Sequence, residues 1–163
     1  MCGAELQGLP EGVQRVVAAL QAQGHGHPPR MLDDAARTAQ QAADALGVAL
    51  GQIAKSIIFR RKEDDAAVLV ITSGDRRVDE GRVAALVGAL GRADASFVKA
   101  KTGFSIGGVA PVAHASTGVV LIDRELFRFS EIWAAAGHPH AVFALTPAQL
   151  ERMTGAPVAE VTV

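Results

Sequence analysis

Lys55 is the residue in this chain whose surroundings most invite chemistry. Read as a β-strand, the run Ile53-Ala54-Lys55-Ser56-Ile57-Ile58-Phe59 puts Ile53, Lys55, Ile57 and Phe59 on one face. An ammonium among apolar neighbours is costly to bury unless it meets an anion or reaches water. Two readings stay open. The lysine is a strand-end residue snorkelling to solvent, or a cation held for a carboxylate, a phosphate or a developing oxyanion. A second feature is Thr102-Gly103-Phe104-Ser105-Ile106-Gly107-Gly108-Val109-Ala110-Pro111. It lacks the Gly-Lys-Ser/Thr of a P-loop and the glycine spacing of a dinucleotide fingerprint. Its glycines fit a tight loop or bulge, and equally a place where backbone amides approach a ligand.

Histidines occur as His25/His27 and His138/His140, with His114 apart. Residues i and i+2 of a strand face the same way, which permits a metal site. No Asp, Glu or Cys accompanies either pair at ligand spacing, so surface or turn histidines are the better reading. No metal and no other cofactor is expected. Basic residues cluster at Arg60-Arg61-Lys62, Arg76-Arg77, Lys99 with Lys101, and Arg124 with Arg128. These are solvated faces, or a phosphate-binding rim if several converge on one cleft. There is no Gly-x-Ser-x-Gly elbow or reactive-cysteine setting, so Ser56 and Ser73 read as sheet hydroxyls rather than nucleophiles.

The elements that must position these groups can be read from periodicity. Val13, Val16, Val17 and Leu20 recur at helical spacing over residues 11–23, with Gly24 as a stop. Residues 24–29 are breakers leading to a short extended piece. Asp33 or Asp34 is the expected cap of a helix to Leu46, closed by Gly47. Ile53 to Phe59 and Ala67 to Thr72, joined by a charged loop, predict an antiparallel hairpin. Asp79 is read as the cap of a helix through Leu90 with Gly91 beyond it. Strands are expected at Ser96 to Lys99, Gly118 to Ile122, Glu131 to Ala135 and Ala141 to Leu145. Thr146-Pro147-Ala148-Gln149 is a helix start, and Val158 to Val163 a closing edge strand. The expectation is a single α+β domain over residues 1–163: a mixed, mostly antiparallel sheet with flanking helices.

Composition bounds the partners. The chain has 163 residues, 49% hydrophobic and 20% charged, with 16 Lys plus Arg against 17 Asp plus Glu. That suits one globular domain and excludes a non-selective basic nucleic-acid coat. It leaves room for a local basic patch. Cys2 is the single cysteine, so no intramolecular disulfide or cysteine-rich zinc site forms. The N-terminus lacks signal-peptide character, and no apolar run is long enough to span a bilayer. A cytoplasmic location is therefore expected. Tyr is absent and Trp133 is the one tryptophan.

Taken in order, several segments resemble the YbaK-type aminoacyl-tRNA deacylase family, whose domain is also inserted in bacterial prolyl-tRNA synthetases. They are Arg37-Thr38 with residues 42–48, Gln52 to Phe59, Ser73 to Asp79, Thr102 to Pro111, Val120 to Asp123, and Leu-Thr-Pro-x-x-Leu at 145–150. The resemblance spans about residues 30–163, leaving 1–29 as an N-terminal helix and turn. It implies hydrolysis of the ester joining a wrong amino acid to tRNA, Cys-tRNA(Pro) or Ala-tRNA(Pro) first among them. The family's lysine falls on Lys55 and its glycine loop on Gly103, Gly107, Gly108 and Pro111. The implied roles are charge stabilisation by Lys55, carbonyl contact by the Gly107 and Gly108 amides, and a pocket bordered by Ser73, Gly74, Asp123 and His138. Implied partners are the acceptor end of mischarged tRNA and prolyl-tRNA synthetase, with no membrane and no DNA. With no synthetase module in the chain, action in trans is expected. Residues 112–117 and 137–140 depart from the cysteine-editing members, which leaves the amino acid open. A non-catalytic tRNA- or nucleotide-binding module of the same fold, with Lys55 only gripping phosphate, is the alternative.

Overall fold

The computed structural model describes residues 8–33, 38–116 and 118–163. Helix α1 (Glu11–Ala22) carries the periodicity expected of it, with Val13, Val16, Val17 and Leu20 all buried. Burying each of these stabilises the fold by roughly 1.5–3 kcal/mol. A two-residue strand, β1 (Arg30–Met31), follows the histidine turn. The next helix, α2 (Ala39–Leu46), is shorter than expected because Thr38 caps it. The Thr38 hydroxyl accepts from Gln41 N and the Gln41 side chain answers the Thr38 amide, a complete capping box. Asp34, the other proposed cap, and Arg37 lie outside the described residues.

Strands β2 (Ile53–Arg61) and β3 (Ala67–Ser73) form the expected antiparallel hairpin, with Lys55 opposite Thr72 and Ser56 opposite Ile71. Helix α3 (Glu80–Val87) is capped by Asp79 but stops short of Leu90, because Gly88 leaves the helix at φ +106°. The freed residues become β4 (Leu90–Arg92), which pairs with the far end of β2.

Residues 96–99, expected as a strand, belong instead to helix α4 (Ala95–Thr102). Asp94 accepts from Phe97 N (2.8 Å) and Gly103 closes the helix in the left-handed conformation. Caps at both ends outweigh the β-propensity of Phe97-Val98, and the buried positions, Val98 and Thr102, are four apart. The rest follows as β5 (Val119–Asp123), β6 (Ile132–Ala135), β7 (Ala141–Leu145), the capping-box helix α5 (Pro147–Thr154) and β8 (Val158–Ala159). The expected closing strand to Val163 is thus shorter, with Thr162 making one bridge to Val78.

The sheet is single and mixed, in the order β1-β7-β6-β2-β3-β5-β8, with β4 alongside β2. Helices α1, α4 and α5 contribute Val16, Val98 and Leu150 to the main core with Ala54, Leu69 and Ile71. Val83 of α3 packs on Val68 and Val70, and Ala43 of α2 on Ile53. Both faces of β3 are covered, and all seven of its residues are buried.

One irregularity in this sheet makes a site. β6 runs parallel to β2 only at Ile53 and Ala54, and β4 joins the same edge only from Phe59 onward. Between them the edge of residues 55–58 has no strand beside it among the described residues.

Candidate active site

Lys55 stands at the mouth of that gap and borders two cavities, one lined by no charged side chain but its own and the other by several. One, of about 290 Å³, lies between the diverging strands. It is lined by Ala54 to Ile57, by Trp133 to Ala135, by Val142, and by Ile106, Gly107 and Pro139. Its surface is largely aliphatic. The other, of about 540 Å³, lies on the hairpin side of Lys55 and is lined by Thr72, Gly74, Asp75, Arg76, Arg77 and Glu80. The Lys55 ammonium donates to the Arg76 carbonyl (3.2 Å) and makes no ion pair among the described residues. Arg77 is exposed and its guanidinium likewise has no acidic partner there. One lysine thus joins a largely aliphatic chamber to a cavity of mixed lining, where Asp75 and Glu80 stand beside Arg76 and Arg77 and Leu50, Ile57 and Val78 complete the wall.

The glycine loop reaches the apolar chamber through its tip. The Gly108 amide donates to the Ser105 carbonyl (3.0 Å), closing a turn whose centre is Ile106-Gly107 with Gly107 at φ +91°. That φ requires glycine. The Gly108 amide closes the turn, whereas Gly107, which lines the chamber, donates its amide to no acceptor among the described residues. Gly108 serves close packing instead: a Cβ there would lie 2.8 Å from the His138 Cα. Ile106, 59% exposed, overhangs the chamber.

The structure divides the remaining sequence-derived residues. Gly74 lines the polar cavity. Gly103, Gly108 and His138 share a separate cleft of about 130 Å³ with Arg15 and Lys99. Pro139 belongs to both this cleft and the chamber. Pro111 is buried and borders none of these three spaces.

Ser73 and Asp123 lie behind the polar cavity in a saturated network. Asp123, fully buried, accepts from Ser73 N (3.0 Å), Glu125 N (3.0 Å) and the Thr162 hydroxyl (3.2 Å). The Ser73 hydroxyl lies 2.5 Å from the Gly51 carbonyl and 3.0 Å from Asp75, and accepts from Arg128 (2.8 Å). Arg128 pairs with Asp75 (2.7 Å) and holds its carboxyl below the ordinary range. Ser73, Asp123 and Arg128 hold the wall from behind, while Asp75 belongs both to this network and to the cavity lining.

Three contributors escaped the sequence reading. Arg15 of α1 donates to the carbonyls of Gly103 (3.1 Å), Thr102 (3.4 Å) and Ala113, and lies 4.6 Å over the Phe104 ring. A helix outside the family resemblance therefore pins the glycine loop. Ser56 and Thr72, flanking Lys55, are the others. Their hydroxyl oxygens are buried and are the two buried side-chain polar atoms without a partner among the described residues. The hairpin register, readable from its charged loop, was the available signal for Thr72. The histidine pairs make local contacts instead: His25 Nε2 bonds the Ala144 carbonyl (2.8 Å), and His138 Nδ1 accepts from His140 N (3.1 Å). Among the described residues no three His, Cys, Asp or Glu converge, and no helix is long and apolar enough to cross a membrane.

Residues 33–153 match the aminoacyl-tRNA editing domain family. The uncharacterised protein YwhH of Bacillus subtilis strain 168 is 35% identical over 118 residues, 72% of this chain and 74% of that protein. A proline–tRNA ligase of Thermoanaerobacter sp. strain X514 is 29% identical over 94 residues, 55% of this chain but 16% of the ligase. Among solved structures, one described as a candidate trans-editing enzyme for prolyl-tRNA synthetase superposes with a TM-score of 0.89 at 39% identity, covering 95% of this chain and 99% of that one. A hypothetical protein, APE2540, superposes at 0.84 with 29% identity over 91% of this chain and 99% of its own. With three-quarters of its length inside the family match and its whole fold shared with such a structure, the chain belongs to the aminoacyl-tRNA editing domain family.

Proposed function

We propose that this protein is a trans-acting aminoacyl-tRNA deacylase that hydrolyses the ester of tRNA(Pro) carrying a small wrong amino acid, cysteine and alanine among them. The observation that carries this reading is the position of Lys55 between the aliphatic chamber and the cavity lined by charged side chains, where the Arg77 guanidinium has no acidic partner among the described residues. An aminoacyl ester at a tRNA terminus has the same polarity: a small side chain on one side of the carbonyl, a nucleotide and its phosphate on the other. The amino acid occupies the chamber, the terminal nucleotide takes the polar cavity with Arg77 at its rim, and the ester lies at Lys55.

Lys55 stabilises the negative charge that develops as the carbonyl is attacked, with the Gly107 amide as a second donor. Among the described residues no carboxylate or imidazole borders the chamber. Water, or the substrate's own ribose hydroxyl, is therefore the source of the attacking oxygen and the proton path. Ser73, Asp123 and Pro111 act by holding the cavity walls and the loop in place. Docking to prolyl-tRNA synthetase would bring the protein to newly charged tRNA.

The test is deacylation of preformed alanyl-, cysteinyl-, seryl- and prolyl-tRNA(Pro). The wild type is expected to release the wrong amino acids and spare proline, and Lys55→Ala to slow release about 100-fold. Undiminished hydrolysis by Lys55→Ala removes the lysine from the mechanism. Binding of the tRNA without loss of amino acid identifies a non-catalytic module, and equal hydrolysis of prolyl-tRNA contradicts editing.

A further inference from the structure

The two buried hydroxyls without partners are not scattered. Ser56 follows Lys55 in the chain, and Thr72 is its cross-strand neighbour. Ser56 lines the apolar chamber; Thr72, fully buried, lines the polar cavity. A buried hydroxyl left unpaired costs about 1–3 kcal/mol, and elsewhere on the same strands the protein avoids that cost, as at Ser73 and Asp123. Two such costs falling either side of one lysine, each at the wall of a cavity, mark groups whose partner arrives with a ligand.

Resting on the deacylase reading, we propose that these hydroxyls are reserved for the substrate, and that Ser56 makes the chamber selective for an aminoacyl side chain ending in a hydroxyl, and secondarily a thiol. Ser56 is partly exposed while its Oγ is not, so the chamber reaches its backbone and Cβ. Rotation of χ1 to another staggered well carries the oxygen to the chamber, and no protein hydrogen bond opposes the move. The rest of the lining is aliphatic apart from Thr38 and the rim at Lys55 and Trp133. A methyl or ethyl side chain fills that space but leaves Ser56 unpaired. A seryl hydroxyl donates and accepts and so satisfies it, whereas a thiol does both weakly. Thr72 Oγ1, fully buried at the wall of the cavity on the other side of Lys55, meets the terminal nucleotide after the same kind of χ1 turn.

The discriminating pair is seryl- and 2-aminobutyryl-tRNA(Pro), two esters of nearly equal size that differ in a hydroxyl against a methyl. Wild-type kcat/KM is expected to favour seryl by at least about tenfold, with cysteinyl between them and alanyl beside 2-aminobutyryl. Ser56→Ala should bring the seryl preference within about twofold of unity while hydrolysis of the 2-aminobutyryl ester persists. Equal wild-type rates for the two esters overturn the proposal and leave the deacylase reading standing. A seryl preference that survives Ser56→Ala overturns the role of Ser56. Hydrolysis of none of the esters overturns the deacylase reading and this inference with it. The wild-type comparison stands without any variant, so folding of Ser56→Ala does not limit the test.

Discussion

Ser73 and Asp123 on one hand, and Ser56 and Thr72 on the other, lie on three adjacent central strands and are treated in opposite ways. The first pair is saturated: Asp123 takes three hydrogen bonds and the Ser73 hydroxyl engages Gly51, Asp75 and Arg128. The second pair has none. Burial alone therefore does not separate framework from working groups; satisfaction does. Where a buried polar group is fully paired it holds the wall of the site. Where it is bare and borders a cavity, we propose that a ligand supplies the partner. This contrast reassigns two residues that the sequence placed at the pocket, and brings forward Ser56, read from the sequence as an ordinary sheet hydroxyl, together with Thr72, read only as a strand residue.

The largest effect expected from this contrast is on the saturated side. Asp123→Ala strips the acceptor from the Ser73 and Glu125 amides and from the Thr162 hydroxyl inside the core. Urea denaturation should show a loss of about 3 kcal/mol. Asp123→Asn, which keeps one carbonyl oxygen, should lose less. In the fraction that stays folded, discrimination among esters should be unaltered. A loss under about 1 kcal/mol would mean that saturation does not identify the framework.

Acid should produce a smaller effect through His114. Its Nε2 lies 2.6 Å from the Ala110 carbonyl, which requires a proton on that nitrogen, and its ring meets the edge of Phe104. Burial, aided by the nearby Arg15 guanidinium, lowers its pKa from the ordinary 6.5. The unfolded chain therefore takes up the proton at a higher pH than the folded one. This stabilisation is complete above about 6.5 and is lost as pH falls through the lower folded value. Thermal melts between pH 7 and 5 should show the wild type losing more stability than His114→Gln. Identical pH profiles would show that the ring is indifferent to its charge. Because Ala110 and Phe104 belong to the glycine loop, deacylation should fall with the same profile.

Much of the frame was legible because local signals and packing agree. The α1 stripe, the hairpin and the Thr146-Pro147 helix start each combine a period with a cap or turn. The misreadings came where two local signals compete. Phe97-Val98 favours a strand until Asp94 and Gly103 are recognised as caps around one short helix of eight residues. Gly91 looks like a helix end, but Gly88 stops the chain first. At the site, Lys55 and Gly107 were legible because an ammonium in an apolar strand and a turn glycine stand out by type. The gap in the sheet was not, since it depends on where β6 and β4 leave off along β2. Arg15 was hidden for a similar reason, its partners lying 87 to 98 residues away.

The finest test of the contrast is Thr72→Val, which changes a hydroxyl to a methyl at nearly constant volume. Were Thr72 a framework residue like Ser73, losing its hydroxyl would destabilise the protein. Because that oxygen is fully buried and unpartnered, its replacement should instead raise stability, by about 1 kcal/mol. Stability and activity should then move in opposite directions: a higher urea midpoint with slower deacylation. The slowing should apply evenly to every ester, since Thr72 lines the hairpin-side cavity, proposed for the nucleotide, and not the chamber proposed for the side chain. Ser56→Ala should alter the ranking of esters, whereas Thr72→Val should lower all of them together. A Thr72→Val protein that is less stable, or one that reorders the esters, would place the hydroxyl in the framework or in the wrong cavity.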